Sequence, residues 1–395
     1  MLRSYPSLAW LSAAQALYWS CSIIGIALTG LLGLQLAPWP WLATLPLTLL
    51  VVGNVLAIQP LARWMAEQGR SHGLRRGAVM GMAAGVLAVV AIAAHSFVLF
   101  SAAMLLLGGY QASCGFYRFA ALEGVADAHR GRAAAWVVTG GVVAAVLAPS
   151  LAMWAKSQLM WPFAGAYACM AVLAALAWWV LGRVPDSLQS APAVLDKAQV
   201  RALRRSLLQR PMLRQALVLT ASGHGLMILI MNATPLAMHG LGMELAHSTQ
   251  VIQWHVLGMF VPSFFAGAAV DRWGARKVAA VALLLLACSA GIAIARQSTA
   301  FFLLSSLLLG TGWNLMLLAG TTQLAQAHAP QERAVAQPLM EWANSASAAV
   351  MSLLCGVLVQ TLGWQAINGA MLAVIVALAV WMACSAMQRP SRKPA

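Results

Sequence analysis

The sequence predicts an all-α membrane protein of twelve transmembrane helices arranged as two six-helix bundles. Three observations carry that expectation. First, 62% of the 395 residues are hydrophobic and only 8% are charged, too little charge to clothe a soluble fold of this size. Second, apolar runs of about 20 residues, each able to cross a hydrocarbon core of roughly 30 Å, recur along the chain. They are continuous and do not alternate, so they read as helices and not as the strands of a membrane barrel. Third, the basic residues fall between these runs on alternate sides.

Taken in order, the first run covers residues 7–34. It follows MLRSYPSLAW without a small-residue cleavage site, so it is read as a span and not as a removed signal. A second run at 41–62 leads into ARWMAEQGRSHGLRRG, a basic loop with Arg63, Arg70, Arg75 and Arg76. Runs at 77–95 and 97–117 follow, then a loop with Arg118, Glu123, Asp127, Arg130 and Arg132. Runs at 133–154 and 162–182 complete the first bundle, residues 1–182. Residues 183–213 are polar, Pro-containing and Arg-rich, and read as a cytoplasmic linker in which Leu195 to Gln209 can form a surface helix. The second bundle, residues 214–395, holds runs at 214–238, 251–270, 278–295, 300–325, 336–359 and 364–387 and ends in a basic tail, QRPSRKPA.

With both termini cytoplasmic, every Lys and Arg except Lys156 and Arg296 falls on the cytoplasmic side, which predicts a multi-pass protein of the bacterial inner membrane. The halves also repeat. VADAHRGRAAA after the fourth run parallels LAQAHAPQERAVA after the tenth, with His129 and His328 in equivalent places. Two repeats about a linker imply bundles that rock around a site near the membrane midplane.

The net charge of +15 is spent on these anchoring loops, so nucleic acid is not an expected partner. Membrane lipid and a small cargo are, and a monomer is expected. The six cysteines stand singly in apolar segments with no CxxC, so no zinc or redox site is indicated. No GxxxxGK[ST] occurs, which argues against ATP-driven transport. No prosthetic group or catalytic residue is expected. All nine acids lie in or near loops, Glu341 being the nearest to entering a span, so energy coupling is not visible.

The segment from His224 to Met259 concentrates soft donors: Met227, Met231, Met238, Met243 and Met259 with His224, His239, His247 and His255, against Glu244 as the single carboxylate. Thioethers and imidazoles without hard oxygens suit Cu(I). Met227 and Met231, and likewise His255 and Met259, are spaced i, i+4, so each pair projects from one helix face. Met231 and Met259 lie at similar depth, roughly 10–12 Å from the outer surface. His224 can join as a further metal or proton site, and Met238, His239, Met243 and His247 can collect metal at the outer mouth. The plainer reading is that methionines pack apolar helices, whereas a histidine inside a span usually faces a cavity or partner. Tyr117 and Arg118, and Trp313 and Asn314, can line the cavity. Arg118 is read first as an anchor, and Trp313 with Asn314 can equally recognise a flat organic solute.

GAAVDRWGARK, from Gly267 to Lys277, resembles the cytoplasmic signature of the major facilitator superfamily. Asp271, Arg272, Gly274 and Arg276 stand near the pattern's places, as a tight turn and a latch between helices. MAEQGRSHGLRR matches it poorly in the first half, offering Glu67, Gly69 and Arg70. More narrowly, MxxxM in the seventh span and HxxxM in the eighth resemble the CcoA-like bacterial copper importers. That resemblance implies Met227, Met231, His255 and Met259 as ligands for copper as transported cargo, moving inward to supply haem–copper oxidase assembly. Relatives without these ligands are riboflavin importers, so an organic solute such as riboflavin is the alternative. A drug or metabolite exporter follows, and a non-transporting membrane sensor or assembly factor stands last.

Overall fold

The computed structural model describes residues 5–39, 42, 45–123, 125–185 and 196–387. Among them no strand occurs, and the chain runs α1 (Pro6–Leu36), α2 (Leu45–Gln68), α3 (Arg70–Ala93), α4 (Phe97–Gly115), α5 (Tyr117–Ala120), α6 (Arg130–Ala155), α7 (Ala164–Leu181), α8 (Lys197–Gln209), α9 (Pro211–Gly240), α10 (Leu245–Phe260), α11 (Ser263–Trp273), α12 (Ala275–Ala295), α13 (Thr299–Ala327) and α14 (Arg333–Met387). Six crossings lie on each side of α8.

The second half reaches its six by two departures from one helix per span. Pro262 lacks an N–H and breaks the eighth span into α10 and α11. Conversely, α14 has 55 residues, about 82 Å and too long for one crossing. It is broken at Gly363, whose φ of 75° is left-handed. Beyond that point the chain runs antiparallel to α12: Trp364 Nε1 donates to Ala293 O at 3.0 Å, while Arg276 donates to Met382 O near the other end.

The basic segment expected as a loop at 63–76 is almost entirely helical. Gly69 alone separates α2 from α3, at φ 97°, ψ 157°, and Gly274 alone separates α11 from α12, at φ 83°, ψ 148°. A side chain is disfavoured in that region, so one glycine makes each turn and its arginines sit on helix ends. The internal repeat is visible again in packing. A Cβ at Gly53 or Gly108 would collide with the α4 or α2 backbone, and a Cβ at Gly258 or Gly310 with the α13 or α10 backbone. Both helix pairs therefore meet backbone to backbone, as small residues permit in a membrane.

Between the halves, α8 starts where Asp196 Oδ1 accepts from Gln199 N–H at 2.7 Å and Gln199 Oε1 accepts from Asp196 N–H at 2.9 Å, a reciprocal cap. Leu207 is buried, and Val200 and Leu203 pack against the core, leaving Arg201, Arg204 and Arg205 exposed. The expected helix start at Leu195, the rest of the linker at 186–194 and the basic tail at 388–395 lie outside the described residues.

Candidate functional site

The site is built from mid-helix residues of both halves. Trp19 on α1, His224 on α9, Trp313 and Asn314 on α13 and Asn344 on α14 each stand roughly 15–20 Å from the end that carries the basic residues, and Tyr110 on α4 stands nearer that end. Tyr110 meets Tyr18 edge-on at 5.1 Å between ring centres, Tyr18 meets Trp19 at 5.5 Å, and Trp19 meets Phe260 of the other half at 5.0 Å. An aromatic row thus crosses the boundary between the halves. Close by, Asn54 Nδ2 donates to Ser345 Oγ at 3.1 Å, again across it.

On the far side of the row, Trp313 Nε1 donates to His224 Nδ1 at 2.9 Å, with the rings 5.7 Å apart. Asn314 Nδ2 donates to Met259 O at 2.7 Å and Ser263 Oγ at 2.6 Å. Its Oδ1 is buried without a protein partner, as are Trp19 Nε1 and Asn344 Oδ1. Buried polar atoms are ordinarily hydrogen-bonded, so acceptors and donors without a protein partner at one depth can serve a polar solute. Flat rings with a few fixed donors and acceptors are suited to a planar, hydrogen-bonding solute.

The four residues expected to hold copper lie on α9 and α10. Met227 and Met259 belong to the hydrophobic core, and Met231 is half-buried against it. His255 is 2% exposed, and its Nδ1 lies 3.0 Å from Ser306 O, which fixes that nitrogen as the donor. Its Nε2 is buried without a partner. Both span histidines are tied to α13, His255 at Ser306 and His224 at Trp313, two helical turns or about 10 Å apart along it. His224 is thus held away from His255. Among the described residues no three His, Cys, Asp or Glu side chains gather as a metal-ligand set. At the expected outer mouth, His239 and His247 are exposed and Met243 is half-buried, but Met238 is fully buried. As a core residue of the last turn of α9, Met238 is unavailable for capture from solvent, which corrects the expectation for it.

The basic end is where the halves are pinned. Asp271 Oδ1 accepts from Gly131 N–H at 2.7 Å, and Oδ2 accepts from Arg132 N–H at 3.2 Å and Arg132 Nε at 3.0 Å, so α11 caps the first turn of α6. Gly274 makes the adjoining turn, Arg276 ties α12 to α14, and Arg272 is exposed. In the first half Glu67 is exposed, and the acid comes from Glu123 instead. Glu123 accepts from Arg70 Nε at 3.0 Å and pairs with Arg333 of the other half at 3.2 Å. Arg118 is no surface anchor: it is buried and paired with Glu341 across the boundary, with Nε donating to Thr321 Oγ1 at 2.9 Å. The sequence signal for Trp313 and Asn314 was polar tips inside an apolar run. Trp19, Tyr110 and Asn344 carry the same signal, and reading them required knowing which helices meet.

The family described as Major Facilitator Superfamily matches residues 248–395. The riboflavin transporter RfnT of Brucella anthropi is 36% identical over 361 residues, covering 91% of this chain and 90% of that protein. Among solved structures, the human organic anion transporter MFSD10 superposes with a TM-score of 0.78 at 12% identity, covering 95% of this chain and 98% of the other. The transporter FucP in its outward conformation gives 0.72 at 14% identity, covering 95% and 98%. These two structural likenesses are of fold alone.

Proposed function

The chain belongs to the major facilitator superfamily of secondary transporters, and from that premise we propose that its cargo is riboflavin or a closely similar flat heteroaromatic solute. The observation that carries the proposal is the 36% identity to a riboflavin transporter over nine-tenths of both chains. The midplane geometry supports it. An isoalloxazine ring is planar and edged with carbonyls and an imide N–H. Trp19 and Trp313 offer indole faces for its ring, with Tyr18 and Tyr110 backing Trp19 from the core, and Asn314 and Asn344 offer free amide oxygens for its edge. Copper import draws no support from the likenesses, and one feature speaks for it, the unpartnered Nε2 of His255.

In this reading the basic end faces the cytoplasm of a bacterial inner membrane, and the structure is a conformer closed on that side. Cargo enters from the opposite side, and release follows when the pins at Asp271, Glu123 and Arg118 part. Uptake of labelled riboflavin and of labelled copper, in cells lacking their own importers of each, tests the reading. Riboflavin should accumulate well above the empty-vector level and copper should not. Copper accumulation without riboflavin accumulation would return the site to Met227, Met231, His255 and Met259.

A further inference from the structure

Among the described acids, Glu341 is the one set deep within a membrane-crossing helix, two turns into α14 and 8% exposed. Its counter-charge comes from the opposite half, Arg118 on α5. Arg118 has few other supports: Nε donates to Thr321 Oγ1 at 2.9 Å, and its guanidinium lies 4.9 Å from the centre of the Phe119 ring. A Cβ at Gly115 would collide with the Glu341 carboxylate, so the bare backbone of α4 gives that carboxylate its berth. The titratable groups around the pair are Cys114 of α4, within electrostatic reach of both partners, and His224 of α9, within reach of Arg118. From α2 the neighbouring contact to α14 is neutral, Asn54 to Ser345. Arg70, Glu123 and Arg333 form a separate cluster nearer the basic end.

We propose that Glu341 is the proton site that couples solute movement to a proton gradient, with Arg118 as the charge it releases. The inference rests on the inward transport proposed above. Without a proton, carboxylate and guanidinium neutralise each other across the boundary and help to hold the basic end closed. A proton from the opposite aqueous side forms an O–H bond on the carboxylate, and no covalent bond breaks. Arg118 keeps its charge and is left with a hydroxyl and a ring, an arrangement that disfavours a buried cation. The conformer in which the basic end opens and water reaches Arg118 gains accordingly. When solute and proton leave on that side, the ion pair reforms and closes the end. One proton travels with each solute.

The test uses full-length protein in liposomes: wild type, Glu341→Gln, and Glu332→Gln, which removes a carboxylate paired with Arg210 outside this cluster. Riboflavin counterflow without a gradient reads transport itself. Accumulation under one pH unit, acid outside, reads coupling, and one proton per solute allows at most about tenfold. Wild type and Glu332→Gln should show both. Glu341→Gln should retain counterflow but accumulate no more than about onefold. Tenfold accumulation by Glu341→Gln, or a wild type that transports riboflavin indifferently to the gradient, overturns the proposal.

Absence of wild-type counterflow would instead sink the riboflavin reading, and a solute-free measurement then decides. A crevice between α2 and α14 is lined by Ala66, Arg70, Ala334 and Gln337. With the exposed Cys288 and Cys384 replaced by serine, maleimide labelling of Ala66→Cys, normalised at each pH to the same chain unfolded in denaturant because only the thiolate reacts, should rise several-fold as pH falls in the otherwise wild-type chain. It should be pH-independent with Glu341→Gln. Labelling indifferent to pH in both contradicts the proposal. Should Glu341→Gln fail to fold, Glu341→Asp keeps the acid on a shorter stem, and an unshifted pH profile of accumulation or labelling would equally overturn it.

Discussion

Trp313 joins the indole N–H to His224 and so presents its ring in one fixed attitude beside Asn314. Trp313→Phe keeps an aromatic face and deletes the donor. Loss of one neutral hydrogen bond is worth about 0.5–1.5 kcal/mol, so the expected rise in the half-saturating riboflavin concentration is about 2- to 10-fold. Trp313→Ala should do considerably more, because it removes the face. The methionines behave differently under this account. Met227→Leu with Met231→Leu conserves volume and costs less than about 1.5 kcal/mol per site. Riboflavin uptake should stay within about twofold of wild type once expression is matched, and near-complete loss would mark those thioethers as part of the transport site. Residue-scale reasoning from sequence found unusual side chains well and their partners badly. His255 stood out as an imidazole in a span, but its partner is the carbonyl of Ser306, a group every residue carries and no pattern betrays. Arg118 looked like an anchor because the sequence hides Glu341 more than two hundred residues away.

At the scale of elements, charge and hydropathy placed the crossings and misplaced the turns. The positive-inside rule reports which side a basic segment faces and is silent on whether that segment is coiled. The arginines expected in a loop at 63–76 are therefore helical, with the whole reversal concentrated in Gly69. The equivalent turn at Gly274 obeys the same geometry. Gly69→Ala and Gly274→Ala should each cost about 1–3 kcal/mol through backbone strain, visible as a lower unfolding temperature in detergent. A variant as stable as wild type would refute the need for glycine there. The eighth span was legible as a span, but its division into α10 and α11 at Pro262 was not, because a proline inside an apolar run can kink a helix as well as end it.

For the whole molecule, the basic end is closed by carboxylates working in both directions: Asp271 of the second half grips the start of α6, and Glu123 of the first half grips Arg333 at the start of α14. The sequence showed the first grip through its resemblance to a superfamily signature, whereas the second is relocated from the expected turn to the segment after α5. Asp271→Asn should weaken a set of hydrogen bonds by on the order of 1–3 kcal/mol and shift the population toward an open basic end. Maleimide labelling at Ala334→Cys would rise about 5-fold or more, and combining it with Glu123→Gln should add to the effect. Unchanged labelling in the double variant would show that closure rests elsewhere. The central claim, that a flat heteroaromatic solute sits between Trp19 and Trp313, is tested most directly by titrating riboflavin into the purified protein and following flavin fluorescence. Saturable quenching in wild type, lost in Trp313→Ala and untouched by Cu(I), is the expected result; no quenching in wild type, with Cu(I) bound through His255, would contradict the account.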